Sequence, residues 1–316
     1  MPYFVLLIGN SHCHWAWVED NESSCFPLVF SWDTSPFPDV ADPLDLSAWL
    51  DFCVTLWRSP VRGTAPPAAL VALERSLRSS HFTDANQLND SSFNNSPLND
   101  PTPFYYASVV PTQTARFSVY PKARRLTLRD IPLGNMYETL GIDRALALWA
   151  AGEQTGWPTI VIDGGTALTV TGADNLGQLV GGAILPGVGL QFRSLAQNTA
   201  ALPWVSMSDR PLRWARNPAD AMRSGIYYTI LAGVQSFLQN WLEEYPSSSI
   251  YFTGGDGQWL FERLSPIVTP SSQPPIHYRS DLALQGIINL VSSGSLTDLL
   301  IAEEIAAKRV AAPYPE

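Results

Sequence analysis

The stretch TIVIDGGTALTVT, residues 159–171, decides the fold class of this chain. Thr159 to Ile162 is an apolar run that predicts a buried strand, and Leu168 to Thr171 predicts its antiparallel partner. Between them lies Asp163-Gly164-Gly165-Thr166, where glycine lets backbone N–H groups approach a phosphate and threonine adds a hydroxyl donor. The unit therefore indicates a phosphate-binding hairpin, with an ordinary tight turn as the alternative.

A hairpin of the same kind occurs about half a chain length earlier. Phe4 to Ile8 predicts an apolar strand, Gly9-Asn10-Ser11 a glycine turn, and Trp15 to Val18 a second strand. A third glycine turn, Gly254-Gly255-Asp256-Gly257, follows the apolar run Ile250 to Thr253. Because the first two hairpins repeat at half the chain length, they predict two similar domains that face each other.

Length and composition agree with two globular domains. The 316 residues exceed one compact core, and a hydrophobic content of 46% is enough to bury two. We predict an N-terminal domain over residues 1–140 and a C-terminal domain over 141–316. The stretch of about 79–103 is rich in Ser, Asn, Asp and Pro, which predicts a flexible surface insertion in the first domain.

Charge and cysteine content exclude several classes of protein. A net charge of -10 argues against a nucleic-acid-binding surface, because phosphate backbones would be repelled. Three cysteines without pairable spacing do not make a disulfide framework. The short apolar N-terminus has no basic flank and predicts a strand, not a signal peptide. No apolar run has a membrane-spanning length, so we expect a cytoplasmic protein without a membrane partner.

Two carboxylates occupy positions where their charge has chemical significance. Asp163 ends an apolar strand, where it needs either a cation near nucleotide phosphates or the N–H groups of its own glycine turn. Asp143 begins an Ala/Leu-rich helix, whose N-terminus stabilises the ionised carboxylate; simple helix capping is the alternative. Arg144 can bind an anionic substrate group bidentately, or form a surface ion pair.

In these residues the sequence resembles the type III pantothenate kinases, a family in the superfamily of actin, hexokinase and the chaperone ATPases. The resemblance implies an α/β fold of two similar actin-like (ribonuclease H-like) ATPase domains with a central cleft. Motifs that resemble the family's occur in its order along most of the chain; they are Leu7-Ile8-Gly9-Asn10-Ser11, Ser108-Val109-Val110-Pro111, Gly141-Ile142-Asp143-Arg144, Asp163-Gly164-Gly165-Thr166-Ala167, Gly181-Gly182-Ala183-Ile184-Leu185-Pro186-Gly187, Asn198-Thr199-Ala200-Ala201-Leu202-Pro203, Ser224-Gly225-Ile226 and Thr253-Gly254-Gly255.

The resemblance also implies an activity, the ATP-dependent phosphorylation of pantothenate to 4'-phosphopantothenate, which is the first step of coenzyme A biosynthesis. Asp143 would accept the proton of the pantothenate hydroxyl, and Mg²⁺ would accompany ATP. The substrate would be lined by Gly141, Ile142, Asp143, Arg144 and Thr199. The ATP contacts would be Leu7, Ile8, Gly9, Asn10, Ser11, His12 and Thr166.

A monovalent cation and a second subunit follow from the same resemblance. Asp163 would hold K⁺ or NH₄⁺. The family works as a homodimer, and the long helix predicted from Asn217-Pro218 to about Tyr245, with small residues at Gly225 and Gly233, is a candidate interface.

The sequence departs from the family pattern at two places. Leu7 stands where the first motif has a magnesium-binding aspartate, and Ser11 replaces a threonine. Gly134 stands where the family has a substrate-contacting tyrosine; the resemblance would give this role to the nearby Tyr137, which is out of register. We therefore keep three hypotheses: an active pantothenate kinase, a catalytically silent relative with a regulatory or accessory role, and a kinase for another small hydroxylated acid.

Overall fold

A computed structural model describes residues 3–19, 28–34, 62–63, 103–117, 123–268 and 275–293. The chain divides into two compact units: residues 1–131, 141–143 and 286–316, and residues 132–140 and 144–285. Asp42-Pro43 predicts the start of a helix that continues through Trp57, with Asp42 as its N-cap. This segment and nearly all of the predicted insertion at 79–103 lie outside the described residues. Among the helices that are described, none has the length and apolar character needed to cross a membrane.

The first unit contains a six-stranded sheet. Its strands β1 to β4 pair antiparallel with their sequence neighbours, whereas β5 and β6 run parallel to β1. The order across the sheet is β4-β3-β2-β1-β5-β6, with β1 (Tyr3–Ile8), β2 (Cys13–Glu19), β3 (Leu28–Thr34), β4 (Arg62–Gly63), β5 (Phe104–Ser108) and β6 (Ala123–Arg125). Helix α1 (Pro111–Phe117) and one turn of 3-10 helix (Leu128–Asp130) flank β6 in the sequence.

Aromatic packing accounts for the central position of β1 in this sheet. All six residues of β1 are buried, as expected for a strand covered on both faces. Around it the ring of Trp15 lies 6.2 Å from that of Phe104, and Phe104 lies 5.5 Å from Phe117 of α1. The continuous apolar pattern at Phe4 to Ile8 is therefore the sequence of a core strand.

The second unit contains a five-stranded sheet of the order β11-β10-β7-β8-β9. Its strands are β7 (Thr159–Gly164), β8 (Ala167–Ala173), β9 (Leu179–Pro186), β10 (Ser249–Thr253) and β11 (Ile276–Tyr278). The remaining helices are α2 (Ile142–Thr155), α3 (Val188–Asn198), α4 (Pro218–Glu244), α5 (Gly257–Val268) and α6 (Leu282–Ser292). Two of them span a unit boundary, because residues 141–143 and 286–316 are counted with the first unit.

The two sheets share one topology. β7, β8 and β9 form an antiparallel meander, and β10 and β11 add to β7 in parallel. The first unit has the same plan, with β1, β2 and β3 as the meander and β5 and β6 as the parallel strands. This is the ribonuclease H-like arrangement, so the predicted fold class of two similar actin-like halves is confirmed.

Helix α4 confirms the prediction made from Asn217-Pro218. The Asn217 Oδ1 accepts from the backbone N–H of Asp220 at 2.9 Å, and Pro218 occupies the first helical position. One face of α4 is buried, with apolar residues recurring at three- and four-residue intervals at Ile226, Ile230, Val234, Leu238 and Trp241. The helix therefore contributes one face to the core of the second unit.

Two strands differ in extent from what the sequence predicts. The apolar pattern from Phe104 to Val110 predicts a strand closed by Pro111, but β5 ends at Ser108 and Pro111 begins α1, because proline suits the first turn of a helix. The pattern from Arg125 to Leu128 predicts another strand, whereas β6 covers 123–125 and the 3-10 turn follows it. No prediction was made for the secondary structure of β9, α3, α5, β11 and α6.

Candidate active site

Two glycine turns lie side by side in the second unit. β7 ends at Gly164 and leads into Gly165-Thr166, while its parallel neighbour β10 leads into Gly254 to Gly257. The Asp256 N–H donates to the Gly164 carbonyl at 2.8 Å, so the turns are in direct contact. Open α/β sheets bind ligands outside the carboxyl ends of their parallel strands, which is where both turns lie.

The approach of these turns depends on glycine at position 254. Gly254 has φ +82°, and a Cβ there would lie 2.2 Å from Oδ1 of Asp163 and 2.8 Å from the carbonyl carbon of Gly164. Any other residue would displace the Asp163 carboxylate or separate the turns. Asp163 is half-buried, so a carboxylate is held close to the backbone of two glycine turns.

A third segment joins this group at Thr166. The Thr166 carbonyl accepts from the Gly187 N–H at 3.0 Å, and Gly187 is the N-cap of α3. Thr166 is half-buried at the start of the hairpin's return strand. The structure thus brings together three of the motifs singled out in the sequence: the Asp163 turn, the end of the Gly181–Gly187 segment and the Gly254 turn.

Burial raises the pKa of the Asp256 carboxyl above its ordinary value. Desolvation penalises its charged form, because this carboxyl lies in the turn that contacts Gly164. A cation near the two turns would favour ionisation of Asp256. The electrostatics of the turns therefore suit a ligand that brings positive charge with it.

The Arg144 guanidinium is buried, with 7% of the residue exposed, and three groups accept its hydrogens. Nε donates to the Thr171 hydroxyl at 3.0 Å, Nη1 to the Tyr137 hydroxyl at 3.1 Å and Nη2 to the Val170 carbonyl at 3.4 Å. The alternative of a surface ion pair is therefore wrong for Arg144. Tyr137 is 46% exposed, so its hydroxyl extends this buried network toward the surface.

The backbone around this network leaves no room for extra side-chain atoms. A Cβ on Gly182 would lie 2.0 Å from the Val170 carbonyl oxygen and 2.7 Å from Nη2 of Arg144. Gly134 forms a bridge to Gln178, and its N–H donates to the Gly177 carbonyl at 3.0 Å. Tyr137 follows three residues after this bridge, with its hydroxyl beside Arg144.

The sequence did not predict that Thr171 and Gly182 contact Arg144. Thr171 lies opposite Gly182 in the register of β8 and β9. The GG pair at 181–182 was the available signal, because glycine inside a strand marks a close approach of another group. The register that turns this signal into a contact with Arg144 is set by the sheet.

The first unit places its predicted ATP residues on one hairpin. Leu7 and Ile8 are buried in β1, and the backbone of this strand pairs with both β2 and β5. Gly9, Asn10, Ser11 and His12 form the turn before β2, closed by the Gly9 N–H donating to the His12 carbonyl at 3.0 Å. The Val109 N–H donates to the Ile8 carbonyl at 3.0 Å, which joins the Ser108–Pro111 motif to this turn.

The remaining predicted substrate residues lie at helix ends. Asp143 is half-buried in the first turn of α2, after the half-buried Gly141 and the buried Ile142. Thr199 follows the last residue of α3, and its exposed hydroxyl donates to the Leu195 carbonyl at 2.8 Å. The prediction that the α2 helix begins at Asp143 is thus confirmed to within one residue.

The described residues contain no preformed metal cluster, and Leu7 supplies no ligand for Mg²⁺. Nowhere in the described ranges do three His, Cys, Asp or Glu side chains cluster as ligands. Leu7, at the position of the family's magnesium aspartate, is 5% exposed and belongs to the core. An apolar side chain there supplies no oxygen to a hard cation.

The shared sheet topology and the glycine turns define the class of protein, an actin-like ATPase or kinase. The family model for type III pantothenate kinase matches residues 78–240. A type III pantothenate kinase of a Nostoc species is 41% identical over 257 residues, which cover 80% of this chain and 82% of that protein. The chain belongs to the type III pantothenate kinase family, whose members are phosphotransferases that use ATP and a divalent metal.

Two further relatives agree with this assignment. The type III pantothenate kinase of Synechococcus elongatus is 47% identical over 192 residues, 61% of this chain and 75% of that protein. Another, from a Synechococcus species, is 49% identical over 170 residues, 53% of this chain and 65% of that protein.

The Arg144 network makes a testable prediction about Thr171. Thr171→Val keeps the shape of the side chain but removes the oxygen that accepts from Nε, leaving a buried charged donor with one acceptor fewer. We expect the free energy of unfolding, measured by urea denaturation, to fall by about 1–3 kcal/mol. Thr171→Ser retains the hydroxyl and should recover most of the loss; equal stability of the two variants would contradict the assigned hydrogen bond.

Proposed function

We propose that the chain is an active kinase that transfers the γ-phosphoryl group of ATP to the hydroxyl of pantothenate. The packing of the Asp163–Thr166 turn against the Gly254–Gly257 turn carries the proposal. Backbone N–H groups at the ends of parallel strands bind phosphate without a basic side chain, which suits a chain with a net charge of -10. We further propose that ATP contacts Thr166 and the turn residues Gly9, Asn10, Ser11 and His12.

Pantothenate binding is assigned to the residues around Arg144. A buried guanidinium with fixed partners presents its donors in one orientation, which lowers the entropy lost when a carboxylate or hydroxyl group binds. Tyr137 takes the place of the family's tyrosine, because its hydroxyl lies beside Arg144. Gly141, Ile142 and Thr199 complete the proposed substrate contacts.

Asp143 is the proposed general base. In the first turn of α2 the helix dipole stabilises its ionised form, which is the form that accepts a proton. Phosphoryl transfer passes through a loose transition state, in which positioning and charge stabilisation supply most of the rate enhancement. The pantothenate hydroxyl loses its proton to Asp143 as its oxygen bonds to phosphorus.

The two cations have different roles in this proposal. Mg²⁺ enters with ATP as part of the nucleotide substrate, because the position of Leu7 supplies no ligand. Asp163 is the proposed ligand of K⁺ or NH₄⁺. A single carboxylate beside glycine carbonyls is a hard-oxygen donor set with one negative charge, which matches a monovalent cation.

We also propose a homodimer formed through α4. Gly225, Thr229, Gly233 and Phe237 recur every four residues along this helix, and Phe237 is 42% exposed. Nothing in the described structure lies within 4 Å of a Cβ built on Gly225 or Gly233, so a partner helix could approach closely there. The cytoplasm is the proposed compartment, because the reaction draws on the cellular ATP pool.

The activity test is pantothenate-dependent ADP release with ATP, Mg²⁺ and K⁺. Asp143→Asn should lower kcat by about 10²–10⁴-fold with an unchanged fold, since a general base contributes rate enhancement of that size. Glu153→Gln, an exposed carboxylate on the same helix, is the matched control and should keep full activity. Wild-type protein without turnover would favour the silent relative, and turnover that survives Asp143→Asn would remove the base assignment.

The cation test compares monovalent ions at constant ionic strength. Wild-type turnover should require K⁺ or NH₄⁺ and should fall when Na⁺ replaces them. Asp163→Asn should lose this difference between ions, because the carboxylate that neutralises the cation is gone. The assignment of Asp163 fails if the variant still distinguishes K⁺ from Na⁺ as the wild type does.

The dimer test measures the mass of the protein in solution by light scattering. Gly233→Arg introduces a long charged side chain into the proposed interface and should convert the dimer to a monomer. Gln239→Arg, at an exposed α4 position outside the Gly225–Phe237 stripe, should leave the dimer intact. A wild-type monomer, or a Gly233→Arg dimer, would exclude this interface.

A further inference from the structure

The second unit contains a cavity of about 530 Å³ that includes no residue of the glycine turns. It lies between the loop that precedes α4, the α4 helix and the α5 helix. Three arginines line it: Arg210 and Arg213 from the loop, and Arg263 from α5. We call this cavity the arginine pocket. Its volume is in the range of sites that bind small molecules.

The pocket concentrates positive charge in an acidic chain. Arg263 has nearby carboxylates, with Nη2 at 3.3 Å from Asp209 and Nη1 at 3.7 Å from Glu262. Arg210 and Arg213 make no ion pair with any carboxylate in the described part of the chain. Glu262 also lines the pocket, beside Arg263, so three guanidinium groups and one carboxylate border it and positive charge is in excess.

The wall that carries these arginines is held in place by both helices. The Tyr228 hydroxyl donates to the Pro211 carbonyl at 3.0 Å, and the Ser224 hydroxyl donates to the Arg213 carbonyl at 2.8 Å. From α5, Nη2 of Arg263 donates to the Asp209 carbonyl at 3.2 Å. Three side-chain hydrogen bonds along five residues fix the loop before any ligand binds, which lowers the entropic cost of binding.

The arginine side chains are also oriented. The Arg213 guanidinium stacks over the Tyr228 ring at 3.9 Å, a cation–π contact that fixes its plane. The Nε of Arg263 is buried and has no hydrogen-bond acceptor within the described residues. A buried charged donor without an acceptor is costly, and a ligand oxygen would relieve that cost.

Part of the pocket lining is apolar. Leu231 and Ala232 of α4 and Pro266 of α5 form this part. The donor geometry of a guanidinium group suits both phosphate and carboxylate oxygens. Apolar side chains favour a ligand that also has a hydrocarbon or aromatic portion. The pocket thus combines an anion-binding wall with an apolar one.

We propose that the arginine pocket is a second ligand site, which binds a small molecule with a phosphate group or a pair of carboxylates next to an apolar portion. Arg210 and Arg213 bind the anionic group, and Leu231, Ala232 and Pro266 contact the apolar portion. The site is separate from the proposed phosphate-transfer residues, so it stands whether or not the chain is an active kinase.

Calorimetric titration of the full chain tests this site. A non-hydrolysable ATP analogue with Mg²⁺ is kept at saturation, so that the nucleotide site does not take up the probes. Phenyl phosphate and phthalate are the probes for phosphate and carboxylate ligands, and inorganic phosphate lacks the apolar portion. We expect at least one aromatic probe to bind about fivefold or more tightly than inorganic phosphate, because about one kcal/mol of apolar burial accompanies it.

Substitution of the two loop arginines tests whether the probes bind in the pocket or elsewhere on the protein. The double variant Arg210→Gln/Arg213→Gln should lower the affinity for the aromatic probe by about tenfold or more, since the charge-assisted hydrogen bonds from both arginines are lost. Both side chains are exposed, so folding should be retained, and circular dichroism checks this. Arg216→Gln, an exposed arginine of the same loop that does not line the pocket, should bind as the wild type does. Equal affinity in the double variant and the wild type, or no heat with either aromatic probe, overturns the proposal.

Discussion

The close contact between Gly254 and the Asp163 carboxylate is the constraint on which the site in the second unit depends. Two parallel strands carry their turns to one edge of the sheet, but the turns meet only because position 254 has no Cβ. With the turns in contact, the Asp256 N–H donates to the Gly164 carbonyl and the Asp163 carboxylate stays beside both backbones. The phosphate binding that we propose for these turns would therefore depend on backbone packing and would need no lysine or arginine.

The two halves use one topology for different chemistry. Leu7 and Asp163 occupy equivalent positions at the ends of the central strands β1 and β7, yet Leu7 fills the core and Asp163 holds a charge at the surface of the sheet. An apolar residue at the first position removes a metal ligand, while it also avoids the desolvation cost of a buried carboxylate. The two halves thus share the glycine-turn hairpin and differ in the side chain near the end of its first strand, which is Leu7 in one half and Asp163 in the other.

Local signals in the sequence predicted the parts of the structure that local forces determine. The Asn217-Pro218 cap located the start of α4, and the apolar runs located β1, β7 and β10. The Arg144 network could not be predicted in this way, because its acceptors lie 26 and 27 residues away and are set by the register of β8 against β9. Tyr137 illustrates the same limit, because its spacing in the sequence did not predict that its hydroxyl accepts from Arg144.

Helix α5 connects the glycine turns with the arginine pocket, the two places in this unit for which we propose anionic ligands. It begins at Gly257, in the turn that contacts Gly164, and Arg263 on the same helix lines the arginine pocket. A packed helix moves as a rigid element, so a ligand that shifts one end changes the environment at the other. Any such coupling is reciprocal in free energy: if nucleotide binding reorients α5, an anion in the pocket must alter nucleotide affinity by the same factor. Helix α5 thus links the glycine turn at its first residue, Gly257, to Arg263 near its middle, at the arginine pocket.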